Sequence, residues 1–141
     1  MTKVSKDFFT ENEIIFVGYS SRNNQYSNSI YQAFTNHDMK VYPVNSKANS
    51  GFSIKVYQNL SELPRIPKTA FVLLNQENTK RAVKQLMEAG VKKILFLNSK
   101  TVDTETLKEC SQQNIETAIG CPLMIFGTGI HKIHAFFAGV K

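Results

Sequence analysis

The run Ile14-Ile15-Phe16-Val17-Gly18-Tyr19-Ser20-Ser21-Arg22 constrains this chain more than any other stretch, because apolar residues stop at a glycine and give way to small hydroxyl side chains and a cation. An uninterrupted apolar run of this kind suits a strand buried on both faces, as in a parallel sheet. The polar stretch Asn23 to Ser29 follows, and then Ile30, Tyr31, Ala33 and Phe34 recur at spacings that share one face of a helix. A strand, a glycine turn and a helix start in that order favour an anion, since the unpaired N–H groups of the first helical turn and the helix dipole both attract it. The run therefore predicts a buried first strand that delivers a phosphate-binding loop.

The same alternation continues down the chain. Phe8 and Phe9, set among polar neighbours, predict an N-terminal arm over residues 1–12 that packs across the sheet. Asn36-His37-Asp38 forms a turn, and Lys40 to Asn45 reads as a second strand. Its Pro43 has no N–H to give to a ladder and belongs near a strand end or where the strand leaves the sheet. Ser46 to Ser53 is a polar loop, Ile54 to Tyr57 a short edge strand, and Asn59 to Pro64 one helical turn stopped by proline. Thr69 to Leu74 is a continuous apolar run suited to a central strand. From about Gln76 to Ala89 a helix puts Ala82, Val83, Leu86 and Met87 inward and Lys80, Arg81, Lys84 and Glu88 towards solvent. Asn75 or Asn78 caps its start and Gly90 stops it. Val91 to Leu97, a helix from Thr101 to Gln113 with Leu107 and Cys110 inward, and Glu116 to Ile119 complete the series before Gly120-Cys121-Pro122.

Alternating strands and helices predict an α/β fold, a single Rossmann-like domain with a mostly parallel sheet of five or six strands, right-handed crossovers and helices on both faces. Ligands of such sheets bind beyond the carboxyl ends of the strands. Topology alone thus gathers Gly18 to Arg22, Asn45 to Lys47, Asn75-Gln76, Asn98-Ser99 and Cys121-Pro122 on one edge. The domain is expected over residues 13–128, with 129–141 as a C-terminal packing segment.

Composition narrows the classes. At 42% hydrophobic and 20% charged residues, without low-complexity tracts, the chain has the balance of a folded globular domain. No apolar run approaches the roughly 20 residues needed to span a bilayer. Met1 to Lys6 is not followed by the apolar core of a secretory signal, so a cytoplasmic protein without membrane attachment is expected. Cys110 and Cys121 are too few for a disulfide framework and lack zinc-ligand spacing; both are expected as reduced, packed thiols. The net charge of +6 suits an anionic partner. Lysines and arginines are scattered along the chain in place of a basic block, which weighs against nucleic acid.

The end of the second strand bears on which anion is bound. A dinucleotide fold normally carries three glycines in the first turn and an acidic residue at the second strand end, which pairs with the adenosine ribose. Here Gly18 is the single glycine of the turn, and Asn45, Ser46 and Lys47 occupy the strand end. An unmodified ribose has no need of a lysine there, whereas a ribose phosphate pairs with one. The site leans towards coenzyme A or NADP over NAD.

These residues resemble the small stand-alone CoA-binding proteins, whose domain is similar to the nucleotide-binding domain of the succinyl-CoA synthetase alpha chain. The resemblance runs from about Ile14 to Ile125. It rests on Val17-Gly18-Tyr19-Ser20 with Arg22, Val41-Tyr42-Pro43-Val44-Asn45, Tyr57 with Leu60-Ser61-Glu62-Leu63-Pro64, Ala89-Gly90-Val91-Lys92 with Ile94, and Cys121-Pro122-Leu123-Met124. It implies that Gly18, Ser20 and Arg22 hold the pyrophosphate of CoA, with Tyr19 and Ser21 in the same loop. It also places Val44, Asn45 and Lys47 around the adenosine and its phosphate, and runs the pantetheine past Leu74, Asn75 and Gln76 towards Asn98. Ser27, Asn28 and Cys121 complete the implied binding set. The chain departs from the family pattern at Ser27, where a second glycine is usual, and at Ser46, where a proline is. It departs again at Leu74-Asn75-Gln76, which lacks a proline, and at Asn98-Ser99-Lys100.

Catalysis needs a nucleophile or an acid/base pair within reach of a reacting atom, and the expected rim offers only Cys121. His131 and His134 share one face of a C-terminal helix without a third ligand, so no metal is expected. Ile130, Ile133 and Phe137 of that segment pack on the domain or on a second copy, as in a homodimer. A complete ligase is not expected, because the phosphohistidine step of the succinyl-CoA synthetase reaction belongs to a separate domain. The expected function is non-catalytic binding of CoA or an acyl-CoA by a sensor, carrier or accessory protein. The alternative is an NADP-linked oxidoreductase or a redox-sensing nucleotide-binding domain.

Overall fold

The computed structural model describes residues 9, 11–19, 24–46 and 54–125. Among these, β1 (Glu13–Val17), β2 (Lys40–Val44), β3 (Thr69–Val72), β4 (Lys93–Phe96) and β5 (Glu116–Ile119) form one sheet in the order β2-β1-β3-β4-β5, and every pairing is parallel. The connections carry α1 (Asn24–Thr35), a 3₁₀ turn (Leu60–Glu62), α2 (Gln76–Ala89) and α3 (Thr104–Gln112), and α4 (Pro122–Ile125) follows β5. This is the Rossmann-like α/β arrangement expected from the alternating pattern. The strand order reverses at β1, which has β2 on one side and β3 on the other.

Side chains alternate across the sheet with the strand period of two. Ile14, Phe16, Phe71, Leu95 and Ala118 pack with Ile30, Ala33 and Phe34 of α1. Ile15, Ala70, Val72, Ile94 and Phe96 face the other way, onto Val83 and Leu86 of α2 and Cys110 of α3. Two cores, one per face, explain why each inner strand reads as an unbroken apolar run. On the α1 side the Phe71 ring stands edge-on to Phe16 and Phe34, with centroids 5.3 and 6.0 Å away, the arrangement that ring quadrupoles favour.

The helix ends follow local chemistry. Asn75, not Asn78, caps α2: its Oδ1 accepts from the Asn78 N–H at 2.9 Å. At the other end Gly90 adopts φ +91 in the left-handed region, and the Val91 N–H donates to the Leu86 carbonyl at 3.0 Å. α3 starts later than Thr101 because residues 98–101 form a turn, in which the Thr101 hydroxyl donates to the Asn98 carbonyl at 2.8 Å. Asp103 then caps the helix, its Oδ1 accepting from the Thr106 N–H at 2.8 Å.

The expected edge strand over Ile54 to Tyr57 reduces to a single bridge, between Val44 and Tyr57. The Tyr57 N–H donates to the Pro43 carbonyl and the Asn45 N–H to the Tyr57 carbonyl, each at 2.9 Å. Because N–H and C=O of one strand residue point to the same side, the donor that Pro43 lacks is on the side away from β1. The proline therefore leaves the β1–β2 ladder intact.

Of the expected N-terminal arm, Phe9 meets Phe34 edge-on at 6.0 Å, and the Glu11 carboxylate accepts from the backbone N–H groups of Lys68 and Thr69. The C-terminal segment 129–141 lies outside the described residues. No helix among the described residues is long and apolar enough to cross a membrane.

Candidate functional site

The carboxyl ends of β1, β2 and β3 open into a cleft of about 810 Å³, within the range of small-molecule sites. Val17, Gly18, Val44 and Leu73 line it where the strands end. Asn45, Ser46, Gln58 and Asn59 contribute the β2 side, and Leu74 and Asn75 lead into α2, which adds Asn78, Arg81, Ala82 and Gln85. Ser27 of α1 also reaches the cleft.

Gly18 is the point at which three strand ends meet. Its N–H donates to the Val44 carbonyl at 2.8 Å, and beside it the Leu73 N–H donates to the Val17 carbonyl at 2.9 Å. The backbone turns there with φ +100, and a Cβ would stand 2.2 Å from the Leu73 carbonyl oxygen and 2.9 Å from a Leu74 methyl. Both conformation and space exclude a side chain.

Asn45 fastens the loop that follows. Its Nδ2 donates to the Tyr19 carbonyl at 2.7 Å, so the end of β2 holds the backbone just past the glycine. A carboxylate has no N–H with which to do this, which gives the non-acidic strand end a structural reason. The Tyr19 side chain goes elsewhere: its ring is fully buried, 5.6 Å from Phe16 and 6.1 Å from Tyr31 in edge contacts on the α1 side.

Of the residues singled out from sequence, Gly18, Ser27, Val44, Asn45, Leu74 and Asn75 are brought together in the cleft. Asn28, Gln76, Asn98 and Cys121 do not line it. Gln76 is the exposed first residue of α2, and Asn98 is engaged in its own turn, its Oδ1 accepting from the Lys100 N–H at 2.9 Å. Cys121 is half-buried beyond β5, two strands away from β3. Ser20, Ser21, Arg22 and Lys47 lie outside the described residues.

Gln58, Asn59, Asn78, Arg81 and Gln85 were missed. The helical three carried a signal, since positions 78, 81 and 85 recur at helical spacing beside the apolar face and include the cleft-side Arg81 that was assigned to solvent. Gln58 and Asn59 owe their place to the bridge at Tyr57: Gln58 donates from Nε2 to the Ser46 carbonyl at 3.3 Å, and Asn59 caps the 3₁₀ turn.

Chemically, the described lining comprises six carboxamides, one guanidinium and no carboxylate, histidine or thiol. Carboxamides donate and accept at once, which suits amides, base edges and phosphate oxygens. Cys110 stands apart in the core, where burial, and then the charge of Glu109, push its thiol up to about 11. No group of three His, Cys, Asp or Glu among the described residues is placed to hold a metal.

A family model described as the CoA binding domain matches residues 12–127. A conserved hypothetical protein from Pyrococcus furiosus shares 22% identity over 87% of this chain and 99% of its own, with a TM-score of 0.68. A hypothetical protein from Pyrococcus horikoshii shares 18% over 93% of this chain and 88% of its own, with a TM-score of 0.73. An oxidoreductase from Bacillus cereus shares 14%, covering 77% of this chain and 35% of its own, at 0.54. At such identities these likenesses bear on the fold alone.

Proposed function

This chain belongs to the CoA binding domain family, and on that premise we propose that it binds coenzyme A or an acyl-CoA without catalysis, in the cleft at the ends of β1, β2 and β3. It serves in this reading as a cytoplasmic sensor, carrier or accessory protein.

One arrangement carries the reading: a side-chain-free Gly18 at the reversal of strand order, facing a cleft lined by carboxamides. The Gly18 turn brings the backbone to the cleft, and a pyrophosphate there would be held by Ser20, Ser21 and Arg22 from the loop after β1. Val44, Asn45 and Lys47 serve the adenosine and its phosphate. Leu74 and Asn75 accompany the pantetheine, whose two amides match the carboxamides of the lining.

Isothermal titration with CoA, acetyl-CoA, NADP and NAD tests the proposal. CoA is expected to bind more tightly than either nicotinamide nucleotide and to raise the thermal midpoint, since a ligand selective for the folded state stabilises it by mass action. Absence of CoA binding at millimolar concentration would overturn the reading.

A further inference from the structure

Arg81 is the one charged side chain among the described residues that line the cleft. Its guanidinium is turned along its own helix. Nη2 donates to Glu77 Oε1 at 3.2 Å and Nη1 to Asn78 Oδ1 at 3.4 Å. The Arg81 and Glu77 side chains are 70% and 80% exposed, and a single exposed pair spaced i,i+4 is weak. A phosphate is a stronger partner, because it takes a guanidinium through two parallel charge-assisted hydrogen bonds.

Among the described residues, the cleft offers such a phosphate no cation besides Arg81, and the β2 side of the lining, with Ser46, Gln58 and Asn59, is uncharged. A phosphate monoester carries roughly 1.5 to 2 negative charges at neutral pH and keeps much of its hydration. That suits an exposed guanidinium at the rim better than the diester phosphates of a pyrophosphate, which belong at the glycine loop.

We propose that Arg81 selects for a phosphate monoester on the nucleotide bound in this cleft, and that Glu77 competes with that phosphate for the guanidinium. The proposal rests on the CoA reading and deepens it, naming a residue that, beside Lys47, distinguishes CoA, with its ribose phosphate, from dephospho-CoA, which keeps the pyrophosphate and loses the monoester.

The test is titration of CoA and dephospho-CoA into the wild type and the variants R81Q, E77Q and K84Q. R81Q is expected to weaken CoA about tenfold, the scale of a lost charged hydrogen-bonded pair, while dephospho-CoA changes less than about twofold. E77Q is expected to tighten CoA about twofold, the size of an i,i+4 pair, and to leave dephospho-CoA unchanged. K84Q removes an exposed lysine from the same helix and is expected to move neither, which separates Arg81 from net charge. R81K, which keeps the charge without the fork, is expected to fall between wild type and R81Q. It also serves as the second variant should R81Q lose its wild-type circular dichroism.

Two failures are distinguishable. If the wild type binds CoA and R81Q keeps the wild-type ratio of CoA to dephospho-CoA affinity, the role of Arg81 is refuted and the CoA reading stands. If the wild type binds neither ligand at millimolar concentration, the CoA reading falls and this proposal falls with it.

Discussion

Asn45 donates from Nδ2 to the carbonyl of Tyr19 at 2.7 Å, so the end of the second strand holds the backbone immediately beyond the Gly18 turn of the first. Asn45→Ala removes this bond and is expected to cost about 1 kcal/mol of stability, with weaker CoA binding because the loop loses its anchor. Asn45→Asp is expected to cost more, since it sets a carboxylate against a carbonyl and two acceptors then face each other. Urea unfolding and CoA titration on both variants check this; an N45D protein as stable as the wild type would remove the anchor from the account.

Gly18→Ala brings a Cβ to within 2.2 Å of the Leu73 carbonyl oxygen at a φ of +100. Strain of that conformation alone costs about 1–3 kcal/mol, and the steric overlap adds to it by pushing β3 away from β1. A loss of at least about 3 kcal/mol is expected in urea unfolding. A loss under about 1 kcal/mol would mean that β1 and β3 do not approach so closely in solution.

Asp103 caps α3, and its carboxyl is held below the usual carboxylate value by the Thr106 hydroxyl and N–H, and then by Lys80 at 3.4 Å. A depressed folded pKa stabilises the protein above the unfolded value of 3.8, and that contribution is lost as pH falls through the folded value. Asp103→Ala is expected to cost about 1 kcal/mol at pH 7. Asp103→Asn keeps a competent cap, should cost less, and should flatten the decline in stability below about pH 4. Thermal unfolding from pH 2.5 to 7 reads both effects; equal costs for the two variants would contradict the capping role.

The Cys110 thiol is raised from 9.0 to about 11 by burial first and by Glu109 second. A raised folded pKa stabilises the protein fully below the unfolded value, and the contribution drains away as pH climbs through the folded one. Stability should therefore decline between pH 9 and about 11. In a Cys121→Ser protein, where Cys110 is the remaining thiol, an aromatic disulfide reagent at pH 8 should release no colour until urea is added. Rapid labelling of the folded protein would show that Cys110 is not sealed in the core.

What was legible from sequence divides by range. Runs such as Thr69–Val72 and the face of α2 carry their periodicity locally, and the parallel order follows from alternation. Gly18, Val44, Asn45 and Leu74 were legible as cleft residues because topology brings strand ends together whatever the side chains. Gln58 and Asn59 were not: they reach the cleft through the bridge at Tyr57, a pairing twelve or more residues from its partner in a segment without a strand pattern. Arg81 was placed in solvent, which its exposure bears out, but helix periodicity says which face a residue occupies and not what stands opposite. Asn98 and Cys121 belong to the strand-end edge by topology, yet the cleft forms at the reversal around β1 and not along the whole edge.

The pairing of Tyr57 with Pro43 has a consequence for how this molecule meets its own kind. β2 is an outer strand of the sheet, and an outer strand with free donors and acceptors invites a strand from another chain, the first step towards runaway association. Here that side carries a proline with nothing to donate, and its carbonyl is already taken by the Tyr57 N–H at 2.9 Å. A cleft that must stay open to solvent lies next to this edge, and the local crossing of one tyrosine over one proline closes the edge where the two meet.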